Sequence, residues 1–268
     1  IMGSIISKYA FPIDIIDNSK IQLQNSITLE FNKFKASKRP YPIKASILDP
    51  EPNQKQSDEV IIYVHGNCET IYTVSPILER RAMQLGRKIV TFDWAGYGDC
   101  EGIPSEVTLC QASERVFEYV HQELSIPLDK IIIYGRSIGS VGATFIASKH
   151  QVKLLILQSP LSSAFDVVFE KHFLIGNALK NKDRIKNVKG KILIIHGDDD
   201  NVVPFRNSLK LLQSLKALHL TTHLEQQQNI MVGEYQNVKF TQLVGAGHND
   251  IDMNYEDELL SIMRASLK

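Results

Sequence analysis

The sequence has few cysteines, no excess of charge and no long apolar segment. Thirty basic residues balance thirty acidic ones, so no overall field favours binding to a nucleic acid. Only three cysteines occur among 268 residues, without paired or metal-like spacing, which favours a reducing compartment over a disulfide scaffold. No apolar run approaches the roughly 20 residues that cross a bilayer, and the N-terminus lacks the pattern of a secretory signal. We therefore expect a cytoplasmic protein with no nucleic-acid partner.

Phosphate-binding and metal-binding patterns are also missing. No G-x-x-x-x-G-K-[ST] sequence occurs, and Gly96, Gly98 and Gly102 are spaced one residue too widely for G-x-G-x-x-G. The sequence contains no cluster of His, Cys, Asp and Glu with the spacing of metal ligands. It therefore predicts neither a cofactor nor a bound metal.

The first residues indicate one means of membrane contact. Met2-Gly3-Ser4-Ile5-Ile6-Ser7 fits the N-myristoylation pattern, provided that translation starts at Met2. The alternative is a short leader whose glycine has no such role. Because one myristoyl chain holds a membrane only weakly, we expect at most a weak, peripheral membrane contact through Gly3.

Apolar runs rich in β-branched residues alternate with helix-like stretches. Most of the runs are apolar throughout, as in strands of a parallel sheet that is covered on both faces. The runs are 59–64, 88–92, 130–134, 153–157, 191–195 and 238–243. This alternation predicts an α/β fold with a mostly parallel sheet and helices on both faces.

The length fits one α/β domain, and we treat 1–268 as a single domain. Within it, 1–50 is predicted to be a leader followed by two antiparallel strands. The segment 161–190 is a candidate small cap, and 217–236, with three glutamines at its centre, is predicted to be a surface insertion. Thr108 and Gln111 fit a capping box at the start of a helix.

Gly135-Arg136-Ser137-Ile138-Gly139 matches G-x-S-x-G directly after an apolar run and directly before the helix-like stretch 140–149. A nucleophile elbow requires this strand, turn and helix, with glycines that let strand and helix approach closely. The alternative is an ordinary helix start with a serine cap. We predict that Ser137 is a nucleophile.

A serine hydroxyl is a weak nucleophile and needs a base, which in turn needs an acid to orient it. In the hydrolase order of serine, acid and histidine, the last strand leads into Gly245-Ala246-Gly247-His248, which makes His248 the candidate base. The preceding strand leads into Asp198-Asp199-Asp200, and spacing alone does not choose among these three carboxylates.

An oxyanion hole needs backbone N–H groups directed at the developing charge. One comes from the residue after the nucleophile and one from a loop after an earlier strand, so we assign the N–H groups of Ile138 and Asn67. The alternative for the Asn67 loop is a simple glycine turn. Its neighbour Cys68 is either a reactive thiol or, as we expect, a small buried residue.

Several of these motifs occur together in one known family. The chain resembles the α/β-hydrolase-domain serine hydrolases of the protein-depalmitoylase type over 60–252. The motifs that carry the resemblance are His65-Gly66-Asn67, Phe92-Asp93-Trp94-Ala95-Gly96-Tyr97-Gly98, Gly102-Ile103-Pro104-Ser105-Glu106, Tyr134-Gly135-Arg136-Ser137-Ile138-Gly139, Ser159-Pro160-Leu161, His196-Gly197 with Asp200, and Gly247-His248-Asn249-Asp250.

The resemblance implies an α/β-hydrolase fold and a triad of Ser137, Asp200 and His248. In that family the acid is the fourth residue after the histidine of the H-G turn, which selects Asp200. The implied substrate is an acyl ester or thioester, in particular the S-acyl cysteine of a membrane-attached protein. Two alternatives remain: a serine peptidase similar to the catalytic domain of prolyl oligopeptidases, and a binding module that kept the fold without activity.

The segment 161–175 follows a strand end, where substrate pockets form in this fold. Its apolar residues either line an acyl channel or pack a helix on the core. We take Cys68, Leu161, Phe165 and Phe169 as the candidate pocket residues.

Overall fold

The computed structural model of the chain describes residues 23, 25–30, 42–51, 56–164, 166, 179–222, 225–227 and 229–268. Gly3, Phe165 and Phe169 lie outside these residues, as does 167–178 within the candidate cap. Lipidation of Gly3 and the pocket role of the two phenylalanines therefore stay predictions.

Ten strands in the described part of the chain form one sheet, in the spatial order β1-β2-β4-β3-β5-β6-β7-β10-β9-β8. The six strands from β4 to β10 at the centre of this order run parallel to one another, and the pairs at both edges are antiparallel. The strands are β1 (Ser26–Leu29), β2 (Ile43–Leu48), β3 (Val60–Val64), β4 (Lys88–Phe92), β5 (Ile131–Arg136), β6 (Leu154–Gln158), β7 (Lys191–Gly197), β8 (Glu225–Gln227), β9 (Ile230–Tyr235) and β10 (Val238–Leu243). The mostly parallel sheet is confirmed.

Helices cover both faces of the sheet. The α-helices are α1 (Ile71–Leu85), α2 (Glu106–Glu118), α3 (Gly139–Lys149), α4 (Asn181–Arg184), α5 (Arg206–Ser214), α6 (Asp250–Met253) and α7 (Glu256–Ser266). A π-helical turn, Tyr119–Glu123, continues α2, and short 3₁₀ segments are Leu128–Lys130, Ile185–Asn187 and Leu218–Thr222. Among the described residues, no helix is long and apolar enough to cross a membrane.

The central strands are buried on both sides, which explains their unbroken apolar runs. Every residue of β3, β5 and β6 is buried. Because successive side chains of a strand point to opposite faces, Ile61 packs with α1 and α7, whereas Ile62 packs with α2, α3 and α5. The predicted helix over 140–149 is present as α3.

Two segments differ from the expectations. The helix α2 begins at Glu106, and its capping box is formed by Ser105 and Thr108 rather than by Thr108 and Gln111. Within 217–236, predicted to be a surface insertion, β8 and β9 extend the sheet because β9 pairs with the edge of β10 along its length.

Candidate active site

Ser137 lies in a tight turn between the end of β5 and the start of α3. Its backbone φ is 52°, a left-handed conformation that costs energy for a residue with a side chain. Its N–H donates to the carbonyl of Gln158 at 2.9 Å, and its carbonyl accepts from the N–H of Ser140 at 3.0 Å. The turn therefore fixes the hydroxyl at the carboxyl end of the central strand.

The two glycines of the motif allow α3 to lie directly against the sheet. A Cβ atom on Gly139 would lie 2.0 Å from the carbonyl oxygen of Val64. A Cβ atom on Gly135 would lie 2.6 Å from the Cβ of Ala143. Glycine is needed at both positions because any side chain would push the helix away from the strands.

The structure brings Ser137, His248 and Asp200 together although they are far apart in sequence. His248 follows β10, and its Nε2 lies 3.1 Å from Ser137 Oγ. Its Nδ1 lies 2.7 Å from Oδ2 of Asp200, which follows β7. The carboxylate can only accept, so Nδ1 carries the proton and Nε2 of the neutral ring can accept the serine proton. This is the arrangement of a serine, a base and an orienting acid.

Asp200 is buried and fully engaged by hydrogen bonds. Its Oδ1 accepts from the backbone N–H groups of Val202 at 2.9 Å and Val203 at 2.7 Å. Burial opposes its ionisation and would raise its pKa, but hydrogen bonds from His196 and His248 outweigh burial and hold the pKa of Asp200 below its usual range. Asp200 is therefore a carboxylate at neutral pH.

The loops that carry Asp200 and His248 pack closely against each other. The N–H of Asp199 donates to the carbonyl of Ala246 at 3.2 Å. A Cβ atom on Gly197 would lie 2.1 Å from that same carbonyl oxygen, so this residue must be glycine for the loops to approach. The H-G turn thus brings the acid within reach of the histidine.

The other two carboxylates of the loop do not contact His248. Asp198 is exposed, and its carboxylate accepts from Gln242 Nε2 and from the N–H of Gly245, each at 2.7 Å. Asp199 is also exposed. Of the three candidates, only Asp200 is placed to orient the imidazole.

The assigned oxyanion residues follow two neighbouring strands, Asn67 after β3 and Ile138 after β5. Ile138 directly follows Ser137, and its N–H has no acceptor among the residues that the structure describes. The N–H of Gly66 donates to Glu69 Oε2 at 2.5 Å, while the side-chain Oδ1 of Asn67 accepts from Tyr97 Oη. These bonds hold the loop after β3 in place, and the role of the Asn67 N–H stays a prediction.

Two candidate pocket residues lie within the described part of the chain. Leu161 is buried in the hydrophobic core, and its N–H donates to Ser140 Oγ at 3.2 Å. Cys68 is exposed and has a φ of 57°, so the expectation of a small buried residue is wrong.

Sequence reasoning missed residues that support the triad. His196 contacts Asp200, and Arg136 makes ion pairs with Glu69 and Asp252. A signal for Arg136 was available, because a charged residue at the end of a buried central strand requires acidic partners. No sequence signal identified those partners, which are 67 and 116 residues away.

No grouping of three or more His, Cys, Asp or Glu side chains among the described residues is arranged to hold a metal ion. The residues around Ser137 can supply proton transfer, nucleophilic attack and stabilisation by backbone N–H groups.

Comparisons with known proteins relate this chain to hydrolases. No protein-family model matches the sequence. It is 26% identical over 239 residues to the alpha/beta hydrolase domain-containing protein aho-3 of Caenorhabditis elegans, covering 88% of this chain and 64% of that protein. It is 28% identical over 204 residues to the human alpha/beta hydrolase domain-containing protein 17B, covering 75% of this chain and 63% of that one. The chain thus matches less than two thirds of the length of these relatives.

Solved structures share the fold. An alpha-beta serine hydrolase homologue from Coxiella burnetii superposes with a TM-score of 0.65 at 18% identity, covering 92% of this chain and 99% of that one. The esterase domain of a Rhodothermus marinus protein superposes with a TM-score of 0.60 at 15% identity, covering 90% of this chain and 98% of that one. A serine hydrolase without a lid from Xanthomonas campestris superposes with a TM-score of 0.57 at 16% identity, covering 92% of this chain and 94% of that one.

The chain has the α/β-hydrolase fold, and it resembles the alpha/beta hydrolase domain-containing proteins, as its motifs indicated.

Proposed function

We propose that this hydrolase cleaves acyl esters or thioesters with Ser137 as nucleophile, and that S-acylated proteins are its substrates. The observation that carries the proposal is the position of His248. Its Nε2 lies 3.1 Å from Ser137 Oγ, while its Nδ1 lies 2.7 Å from a buried carboxylate of Asp200.

In the first half of the reaction, Ser137 Oγ attacks the carbonyl carbon of the substrate and gives its proton to His248 Nε2. Asp200 stabilises the imidazolium and keeps Nδ1 protonated. The negative charge on the carbonyl oxygen is received by the N–H groups of Ile138 and Asn67. When the tetrahedral intermediate collapses, Nε2 returns the proton to the departing thiol or alcohol, which leaves an acyl-Ser137 ester.

In the second half, water attacks the acyl-enzyme and gives a proton to His248 Nε2. Collapse of the second tetrahedral intermediate breaks the bond to Ser137 Oγ, which takes the proton back from His248. The products are a carboxylic acid and the regenerated serine. Because the same imidazole serves both halves, replacing it should abolish both steps.

The acyl substrate class is supported by the resemblance to depalmitoylases. The motifs shared with depalmitoylases extend from His65 to Asp250, and one neighbour of the same fold is an esterase domain. A thioester also suits this site, because a thiolate leaves more readily than an alkoxide and needs less help from a general acid. Weak peripheral membrane contact would bring the protein close to S-acylated partners.

The test is hydrolysis of p-nitrophenyl esters from acetyl to palmitoyl, beside a palmitoyl-thioester peptide, by wild type and Ser137→Ala. We expect turnover that increases with acyl length and is reduced by about 10³-fold or more in Ser137→Ala. A proline p-nitroanilide serves as the peptidase control. Cleavage of the anilide without dependence on acyl length would favour a peptidase, and no serine-dependent turnover on any substrate would favour a binding module.

A further inference from the structure

Arg136 is the last residue of β5 and directly precedes Ser137. Only 6% of the residue is exposed, although arginine is rarely buried unless its charge is paired. A cation at this point lies beneath the elbow and among the loops that carry the other candidate site residues. Its partners therefore indicate what it holds in place.

The guanidinium group reaches three acceptors in two segments of the chain, the loop after β3 and the segment that follows His248. Its Nη1 lies 2.8 Å from Glu69 Oε1, its Nη2 donates to Asn249 Oδ1 at 2.7 Å, and its Nε donates to Asp252 Oδ2 at 2.7 Å. Because the guanidinium is planar and its N–H directions are fixed, three acceptors bound to it hold fixed positions relative to one another.

The first arm leads to the loop of Asn67. Glu69 uses its second oxygen, Oε2, to accept the N–H of Gly66 at 2.5 Å. A Cβ atom on Gly66 would lie 2.7 Å from Nη1 of Arg136 and 3.0 Å from Oε2 of Glu69. The guanidinium and the carboxylate thus occupy the space beside the backbone of the residue that precedes Asn67.

The second and third arms lead to the loop of His248. Asn249 directly follows His248, and Asp252 lies in α6, three residues later. Asp252 Oδ2 also accepts from Gln158 Nε2 at 2.8 Å, and the backbone carbonyl of Gln158 accepts the N–H of Ser137. Hydrogen bonds therefore connect the side chain of Arg136, through Asp252 and Gln158, to the backbone N–H of Ser137.

Arg136 is a fixed cation in this network. Burial disfavours its charged form, but the nearby charges of Glu69 and Asp252 outweigh burial and keep the pKa of Arg136 above its usual value. In the described part of the chain, its side chain makes no hydrogen bond to the side chains of Ser137, His248 or Asp200. It acts on the site through other residues and takes no part in proton transfer.

We propose that Arg136 is a positioning residue that holds the Gly66–Asn67 loop and the His248 loop in register with Ser137. This inference rests on the proposed function of Ser137 and His248. It assigns to the second residue of the G-x-S-x-G motif the task of aligning the base and the oxyanion donors with the nucleophile.

The test removes the arms one at a time. Asn249→Ala removes one of the two arms to the His248 loop, and because Asn249 is exposed the fold should be preserved. Glu69→Gln cannot accept from both Arg136 and Gly66. Arg136→Lys keeps the charge but cannot reach three acceptors. Glu59→Gln is a matched control for Glu69→Gln. Glu59 directly precedes β3, whereas Glu69 lies after the other end of that strand, and Glu59 pairs with Arg87 and Lys153.

On a p-nitrophenyl ester, we expect kcat to fall about tenfold in Asn249→Ala and Glu69→Gln and about 100-fold in Arg136→Lys, because small displacements of reacting groups are costly. KM should change by less than about twofold, since substrate contacts are kept. Hydrogen exchange should accelerate at 245–252 in Asn249→Ala and at 65–69 in Glu69→Gln. Glu59→Gln should lower the melting temperature and leave kcat and both loops unchanged.

Ser137→Ala is measured beside these variants so that the proposed function is judged separately. If Ser137→Ala is inactive while Arg136→Lys and Asn249→Ala keep wild-type kcat, the positioning role is overturned and the hydrolase proposal stands. If Ser137→Ala is as active as wild type, the hydrolase proposal fails. The hydrogen-exchange data then still decide whether Arg136 holds the two loops. Unchanged hydrogen exchange in both Asn249→Ala and Glu69→Gln would overturn that role as well.

Discussion

His196 Nε2 lies 3.2 Å from Asp200 Oδ2, and both side chains are completely enclosed. The same Nε2 lies 2.9 Å from the carbonyl of Val203, and Nδ1 lies 2.7 Å from Ser208 Oγ. A carboxylate and a carbonyl can only accept, so Nε2 carries the proton and Nδ1 accepts from the Ser208 hydroxyl. A second histidine thus helps to hold the carboxylate that orients His248.

Replacing this second histidine should weaken turnover without changing the reacting groups. In His196→Asn, Asp200 loses the hydrogen bond from Nε2, whereas the shorter amide lies near the former Nδ1 position and can still accept from the Ser208 hydroxyl. We expect kcat on a p-nitrophenyl ester to fall about tenfold and stability to fall by about 1–3 kcal/mol. Ser208→Ala, which keeps the contact with Asp200, should change kcat by less than about threefold. A wild-type kcat in His196→Asn would show that His248 and the Val202 and Val203 N–H groups suffice to place Asp200.

The three neighbouring aspartates should differ sharply in their effect on catalysis. Asp200→Asn keeps the size of the side chain but no longer fixes the Nδ1 proton of His248, so kcat should fall by about 10³-fold to 10⁴-fold. Asp198→Asn and Asp199→Asn are natural controls on the same loop, and we expect both to stay within about twofold of wild type. Equal losses in all three variants, measured with one ester substrate, would mean that loop stability rather than imidazole orientation explains the effect.

These contrasts show what local sequence patterns could and could not predict. The apolar runs and Gly135-Arg136-Ser137-Ile138-Gly139 are local features, so the sheet and the elbow were predictable. The capping box was misplaced because Thr108 fits either the first or the fourth position of the motif. Among the aspartates, only the resemblance selected Asp200, since the contact that distinguishes it is with His248, 48 positions away.

The same reasoning explains the other differences. The strands β8 and β9 were missed because strands at the edge of a sheet need not alternate in polarity, and most residues of β9 are only partly buried or exposed. The Arg136 network was missed because Glu69, Asn249 and Asp252 come from segments that are distant in sequence. The exposed Cys68 has a left-handed backbone conformation, which is uncommon for a non-glycine residue and could not be predicted from the sequence.

The cysteines should react according to their burial. Burial raises the pKa of Cys100 to about 12 and the pKa of Cys110 to about 12, so both thiols are protonated and enclosed at neutral pH. Cys68 is exposed. We therefore expect a disulfide reagent at about pH 8 to modify one thiol per native chain and all three in denaturant. Cys68→Ala should remove the native reaction. Rapid modification of either remaining thiol in the native Cys68→Ala variant would contradict the described burial.

Asp166 should make the fold sensitive to acid. The residue is 1% exposed, and its carboxylate accepts from Ser162 and Ser163 and pairs with Lys182 and Lys210. Burial acts to raise its pKa, but hydrogen bonds from Lys210, the two serines and Lys182 outweigh burial, so the pKa of Asp166 lies below its usual range. A carboxylate with a lowered folded-state pKa stabilises the fold above the unfolded pKa of about 3.9, and this stabilisation is lost as the pH falls further.

We therefore expect Asp166→Asn to lower the free energy of unfolding by about 1–3 kcal/mol at neutral pH, with a difference from wild type that narrows below about pH 4. Urea denaturation at a series of pH values measures this difference directly. Asp183→Asn is the control, because Asp183 pairs with Lys186 at 3.6 Å where both side chains are more than half exposed. Such a pair contributes less than about 1 kcal/mol at any pH. The difference in the free energy of unfolding between wild type and Asp166→Asn could instead stay constant from neutral pH down to about pH 2. That result would assign the stabilisation to packing and neutral hydrogen bonds instead of the carboxylate charge.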